Sequence, residues 1–186
     1  DWRGTWDGEG GGVLVNQCPH NLDLLQWICG MPVRLRSFCH EGKWHNIEVE
    51  DDVTVYMEFP NGATGVFVTS TGDLPGTDRF EILLTKGKLV CEKGKLECYR
   101  LKEDERVTMF TTEPGKNARV EVIDAFAGNI LRGTPLVADG QEGINEVNLA
   151  NAIHLSSWLK QEVSIPVDED IFLQELSKHR AVSKRK

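Results

Sequence analysis

The sequence has no close Cys-x-x-Cys pair. Its five cysteines, Cys18, Cys29, Cys39, Cys91 and Cys98, are odd in number and scattered, which argues against a disulfide framework or a zinc ribbon. Nor does any Cys or His pair recur at ligand intervals. The one local grouping, Cys39, His40, Glu41 and His45, is spaced poorly for a metal, and no metal site is expected. There is no apolar run near the roughly 20 residues that a bilayer span requires, and no charged-then-apolar leader. A soluble, cytoplasmic protein without a membrane partner is the expectation. Positive charge is also short. The formal net charge is −8, and the only basic cluster is the tail from Lys178 through Arg180 to Lys184, Arg185 and Lys186. That argues against a nucleic-acid partner, because phosphate binding depends on clustered Lys and Arg. Finally, there is no initiator Met, and a chain that enters on Asp1-Trp2-Arg3 suits a piece of a longer polypeptide.

What is present is 186 residues, 40% hydrophobic and 27% charged, the size of one compact domain. The glycine-rich stretch Gly8 to Gly12 is followed by helical spacing from Cys18, which Gly30 and Pro32 should stop, since glycine accepts the left-handed C-terminal cap and proline cannot continue the ladder. From Val33 to about Thr112 the period is two. Six or seven short strands rich in β-branched and aromatic residues form an antiparallel meander. Asp52 to Phe59 and Ala63 to Thr71 join through Pro60-Asn61-Gly62, and Gly87 to Glu92 and Leu96 to Leu101 flank Lys93-Gly94. Helical spacing returns over Arg119–Leu131 (stripe Val120, Ile123, Ala127, Leu131) and Gly143–Leu159 (stripe Ile144, Val147, Asn151, Leu155, Trp158), with a last helix over Glu169–Lys178. Strands followed by helices, without strict alternation, indicate an α+β fold, an open-faced, mostly antiparallel sheet with helices packed on one face. The other face is a candidate for homo-oligomerisation or a polar, solvated surface.

On a helical wheel Cys18, Leu22, Leu25 and Cys29 form a core side, while Asn16, His20, Asp23 and Trp27 stack on the opposite stripe. Trp27 is read as core rather than ligand platform. His20 follows Pro19 in the first helical turn, where a neutral imidazole can take or give a proton on a hydroxyl group. Asp23 could hold its orientation. Asn16 offers a donor and an acceptor to a substrate hydroxyl. A histidine in a first turn can equally just satisfy a local partner. The glycine run favours the functional reading, because glycines let a backbone pass close to a ligand or another domain. Trp6 could pack on a sugar face, with Arg3 and Gln17 reaching hydroxyls, or all three could be strand packing. Arg79 is a substrate contact or a surface salt bridge. His154 is read as a packed histidine.

These residues, Trp2-Arg3, Glu9-Gly10-Gly11-Gly12, then Val13 through Asp23 and Trp27 through Pro32, make the chain resemble the Gfo/Idh/MocA family. The likeness continues through Glu50-Asp51-Asp52, Gly62-Ala63-Thr64-Gly65, the Gly87 turn, Asp139-Gly140 and Ser164-Ile165-Pro166-Val167. The resemblance implies that residues 1–186 are the substrate-binding and oligomerisation C-terminal domain of an oxidoreductase acting on a sugar or cyclitol. It also implies an N-terminal Rossmann domain, absent here, that binds NAD or NADP and supplies a Lys from a Glu-Lys-Pro motif. His20 matches the family's catalytic His. Asn16 stands where family dehydrogenases commonly have Asp, and an amide cannot serve as a base. It either positions substrate only, or accompanies variant chemistry such as glycoside cleavage or elimination through transient oxidation. A binding or dimerisation module without activity of its own is the alternative from another class. No Glu-Lys-Pro sequence occurs here, and no Gly-x-Gly-x-x-Gly opens a βαβ unit, so the chain has no cofactor-binding residues of its own and is expected to be inactive in isolation.

Overall fold

A computed structural model of the chain describes residues 2–100, 106–111 and 118–183. Leu101, Thr112 and the tail residues Lys184, Arg185 and Lys186 lie outside that range. The elements are α1 (Val13–Asn16), α2 (Pro19–Cys29), β1 (Arg34–Glu41), β2 (Glu50–Glu58), β3 (Thr64–Ser70), β4 (Arg79–Leu84), β5 (Gly87–Glu92), β6 (Lys95–Arg100), β7 (Arg106–Thr111), α3 (Ala118–Arg132), α4 (Gly143–Leu159), β8 (Val163–Ser164) and α5 (Glu169–Val182). Antiparallel sheets and helices make this an α+β fold. The expected meander is divided, however. The strands form two four-stranded sheets, ordered β3-β2-β1-β8 and β4-β5-β6-β7, within two compact units, residues 1–72 with 138–186 and residues 73–137.

In the first unit, alternation along the strands separates two faces. Leu35, Ser37, Val53, Val55 and Met57 point into the core, and Leu14, Leu22, Leu149, Ile153 and Phe172 close over them. The opposite face carries exposed Phe38, Tyr56, Val66 and Val68, brought side by side by the registers Phe38↔Thr54↔Val68 and Arg36↔Tyr56↔Val66. Beyond its short pairing with β8 at Arg34 and Leu35, the outer edge of β1 is capped by α4. Ser156 Oγ accepts from the Ser37 N–H at 3.0 Å, Ser157 Oγ accepts from the Cys39 N–H at 3.0 Å, and the Ser37 hydroxyl donates to the Ile153 carbonyl. Unpaired strand donors thereby fix the helix against the sheet. Burial on α4 runs from Leu149 to Ser156, while Ile144 and Val147 are exposed. The stripe expected through those two residues is therefore not the core stripe of α4.

In the second unit the pairings Phe80↔Cys91↔Leu96 and Ile82↔Leu89↔Cys98 build one apolar face. Arg79, Glu81, Lys88 and Glu92 lie on the other and pair with one another, and Lys95 pairs with Glu97 on that same face. Val90 is this sheet's one buried hydrophobic residue among the described residues.

Candidate functional site

The glycine run works first inside the fold. A Cβ on Gly12 would stand 2.1 Å from the Glu50 carbonyl oxygen, and one on Gly11 would stand 3.0 Å from the His154 ring. The close approach expected of these glycines is thus to β2 and α4 of the same unit. The fully buried Glu50 carboxylate seals it, accepting from the Gly12 N–H at 2.8 and 2.9 Å and from the Leu14 N–H at 3.1 Å. His154 Nε2 stands 3.1 Å from Glu50 Oε2 but out of line for a hydrogen bond. Burial by itself would push the Glu50 carboxyl up. The neighbouring His154 imidazole and the N–H groups of Leu14 and Gly12 outweigh it, holding that carboxyl below its ordinary range.

His154 is 1% exposed and stacks on Trp158, which in turn stacks on Phe172 and His179. Trp6 meets this cluster edge-on, against His154 and Trp158, and is only 3% exposed. The expectation that Trp6 packs on a sugar face is corrected: its rings are consumed by the aromatic cluster. His154 is packed, as its sequence context implied.

This anchored segment delivers α1 and α2 to the surface. Pro19 occupies the first turn of α2, Cys18 caps it without a side-chain hydrogen bond, and Gly30 ends it at φ +80°, as proline and glycine dictate at helix ends. The exposed side of the two helices carries Asn16, His20, Asp23 and Trp27, the four residues of the predicted stripe. Trp27 is 65% exposed, which corrects its reading as core. It shares this surface with exposed Leu24 and Ile28. His20 makes no hydrogen bond among the described residues. Asp23 Oδ1 accepts from Gln26 Nε2 at 2.9 Å, so its hydrogen bond goes to Gln26 and not to His20. Gln17 and Arg3 are exposed, with the Arg3 guanidinium 5.3 Å from the centre of the Trp2 ring. Arg79 belongs to the other unit, where Glu81 and Glu92 hold its guanidinium.

Two carboxylates were missed in the sequence. Glu9 accepts from Asn16 Nδ2 at 2.7 Å through Oε1 and from the Gly4 N–H at 2.6 Å through Oε2. Glu146 on α4, which packs on α2, has a buried oxygen without a hydrogen-bond partner among the described residues. Burial, with the Asp23 charge added to it, pushes the Glu146 carboxyl up against an opposing pull from His20. Glu146 therefore sits within electrostatic reach of both. Helical spacing could have flagged it as a first-turn acid on α4, but nothing in spacing pairs α4 with α2. Cys18, behind the stripe, is pushed up to about 12 by burial and by the Glu50 and Glu146 charges, so it is an inert thiol near neutral pH. No group of metal-ligating side chains occurs among the described residues, and none of their helices is long and apolar enough to cross a membrane.

Residues 1–90 match the family model described as the GFO/IDH/MocA C-terminal domain. No curated protein matches the chain by sequence. Among solved structures, the chain is similar to the WlbA dehydrogenase from Chromobacterium violaceum in complex with NADH and UDP-GlcNAcA, with 26% identity, TM-score 0.61, and coverage of 90% of this chain and 49% of that one. It is also similar to the aldose-aldose oxidoreductase from Caulobacter crescentus complexed with glycerol (20% identity, TM-score 0.76, 89% and 51% covered). A third is levoglucosan dehydrogenase in complex with NADH and levoglucosan (20%, 0.75, 90% and 54%). The chain spans about half the length of these structures. Residues 1–90 are thus similar to a Gfo/Idh/MocA C-terminal domain, and the chain shares the fold of these structures.

Proposed function

We propose that this chain is the substrate-side, C-terminal domain of a cytoplasmic NAD(P)-dependent oxidoreductase acting at a hydroxyl of a sugar or cyclitol. His20 is its acid-base, and Asn16 positions the reacting hydroxyl. The observation that carries this reading is the placement of His20: exposed in the first turn of α2, without an internal hydrogen bond, and flanked by Asn16 and Asp23 on a rigidly anchored segment. Such a histidine is free to exchange a proton with a ligand. Solved relatives complexed with NADH and with carbohydrate ligands support the substrate class.

The described strands pair antiparallel and present no parallel βαβ crevice of the kind that takes a dinucleotide. In this reading the nicotinamide is held by a Rossmann half beyond this chain; when bound, it supplies the acceptor or donor of hydride. What this chain contributes is the proton side. Asn16 holds the hydroxyl, His20 takes its proton on oxidation and returns it on reduction, and in this reading Gln17 and Arg3 contact neighbouring hydroxyls. The exposed face of the first sheet, with Phe38, Tyr56, Val66 and Val68, is the surface we assign to homo-oligomer formation.

Asn16 in place of the family's Asp favours a second reading, in which the same site performs elimination or glycoside cleavage through transient oxidation. The test is nicotinamide absorbance of the protein joined to its dinucleotide-binding half, over a polyol panel, with His20→Ala alongside. Substrate-dependent reduction that collapses in the variant is expected. Cofactor binding without net reduction by any polyol overturns the plain dehydrogenase, and product analysis then decides for the variant chemistry.

A further inference from the structure

The exposed face of α2 does not end at His20. Helical geometry places Trp27 two turns further along and only about 20° around the axis from His20, with Leu24 and Ile28 beside it. All three are exposed, Leu24 at 44%, Trp27 at 65% and Ile28 at 45%, so an aromatic and apolar strip continues the stripe that begins at His20. Along the axis, Asp23 lies between His20 and Trp27. Its Oδ1 accepts from Nε2 of the buried Gln26 at 2.9 Å, which fixes the carboxylate, while Oδ2 has no hydrogen-bond partner among the described residues. The core of a protein–protein contact is depleted of charged groups, whereas here a fixed carboxylate stands one turn from the exposed indole. An indole face with a pinned acceptor beside it suits a sugar ring, whose C–H faces lie on the π-system and whose hydroxyls donate to the carboxylate.

Spacing then sets the size of the ligand. His20 and Trp27 are seven residues apart, about 10 Å along the axis at 1.5 Å per residue. One sugar ring that presents a hydroxyl to His20 falls short of that span, and a second ring covers it. Taking His20 as the acid-base of the reading above, on which this depends, we propose that Asp23 and Trp27 form a second subsite and that the substrate is a two-ring glycoside. One ring presents its hydroxyl to His20. The other, a sugar or an aromatic aglycone, stacks on Trp27 with Leu24 and Ile28 at its edge and a hydroxyl on Asp23. No bond is made or broken at Trp27; it selects for the length of the substrate.

The test uses the protein with its dinucleotide-binding half and follows nicotinamide reduction with two single-ring probes, glucose and methyl β-glucoside, and three two-ring probes, cellobiose, maltose and phenyl β-glucoside. At least one two-ring probe should exceed its single-ring counterpart in kcat/KM, glucose serving for the disaccharides and methyl β-glucoside for phenyl β-glucoside. Which of them does so distinguishes a second sugar from an aromatic aglycone. That two-ring to one-ring ratio should fall about tenfold in Trp27→Ala, the scale of one lost ring contact, and by no more than about threefold in Trp27→Phe, which keeps a ring face. Melting of Trp27→Ala at the wild-type temperature is expected, since the side chain is exposed; a lower melting temperature with an unchanged ratio overturns the subsite. An equal loss with one-ring and two-ring probes assigns Trp27 to contact with the dinucleotide-binding half, and a changed oligomeric state assigns it to a second copy of the chain. Either result overturns the second subsite and leaves the reading of His20 standing, as does turnover of the single-ring probes with no two-ring preference. No reduction with any probe overturns the reading of His20, and the second subsite with it.

Discussion

The two units of this chain handle charge in opposite ways. The first buries it. Glu50 and Asp51 are fully enclosed, each accepting from backbone N–H groups: Glu50 from Gly12 and Leu14, Asp51 from Lys43, Trp44 and His45. The second spreads charge over an exposed sheet face, where Arg79, Glu81, Lys88 and Glu92 pair in water. Buried carboxylates of the first kind fix backbone geometry and are costly to disturb, whereas exposed pairs contribute little. The surface bearing Asn16 and His20 is anchored by the first kind.

The largest effect should follow from Glu50→Ala, which leaves two buried N–H groups without an acceptor and removes the carboxylate 3.1 Å from His154 Nε2. A loss of about 3–5 kcal/mol in denaturant unfolding is expected, and a loss indistinguishable from that of a surface residue would break the contrast. Gly12→Ala should destabilise to a similar degree, since its Cβ would stand 2.1 Å from the Glu50 carbonyl. Asp51→Ala frees three N–H groups of the 43–45 turn and should cost about 2–4 kcal/mol by the same measurement.

Acid sharpens the comparison. Burial pushes the Glu50 and Asp51 carboxyls up, but their hydrogen-bond and charge partners outweigh it and hold both below the ordinary range. The stability they contribute is complete above the unfolded carboxyl value of about 4 and is lost as pH falls through their folded values. His179 is also held low, chiefly by burial with the His154 and Lys178 charges, against an opposing pull from Glu175. Its contribution begins to fall earlier, below the unfolded histidine value of about 6.5. Melting temperature should therefore decline first between near-neutral and mildly acid pH and again in the carboxyl range. His179→Gln should remove the first decline only. Glu146, held high by burial and Asp23, has the opposite sign: its stabilisation is present in acid and lost as pH rises. Glu146→Gln should raise the melting temperature at neutral pH and give no gain in strong acid. The smallest effect belongs to the second unit, where Arg79→Ala should leave the melting temperature unchanged; a drop of several degrees would show that its surface charges do more than pair in water.

Much of this was legible. Pro19 and Gly30 bound α2, the Pro60-Asn61-Gly62 and Lys93-Gly94 turns marked the hairpins, and Gly143 and Leu159 bound α4 as read. Asp51 also carried a signal, lying in phase with inward Val53, Val55 and Met57. The division into two sheets did not show, because alternation gives a strand its faces but not its neighbours. Pairing of the two-residue β8 with β1 is too short to leave a period. Trp27 was misread because an aromatic on a helix usually belongs to the core, and only the tertiary packing shows that this one does not. Glu9 and Glu146 act across a glycine turn and across a helix pair, contacts for which spacing along the chain holds no measure.

Two histidines are expected to differ, His20 as the proposed acid-base and the buried His154 as structural, and the most direct test substitutes each by alanine in the protein with its dinucleotide-binding half. Turnover and melting temperature are recorded together. His20→Ala should abolish turnover and leave melting unchanged, while His154→Ala should lower melting sharply. Full turnover in His20→Ala, or melting of His154→Ala at the wild-type temperature, would contradict this distinction.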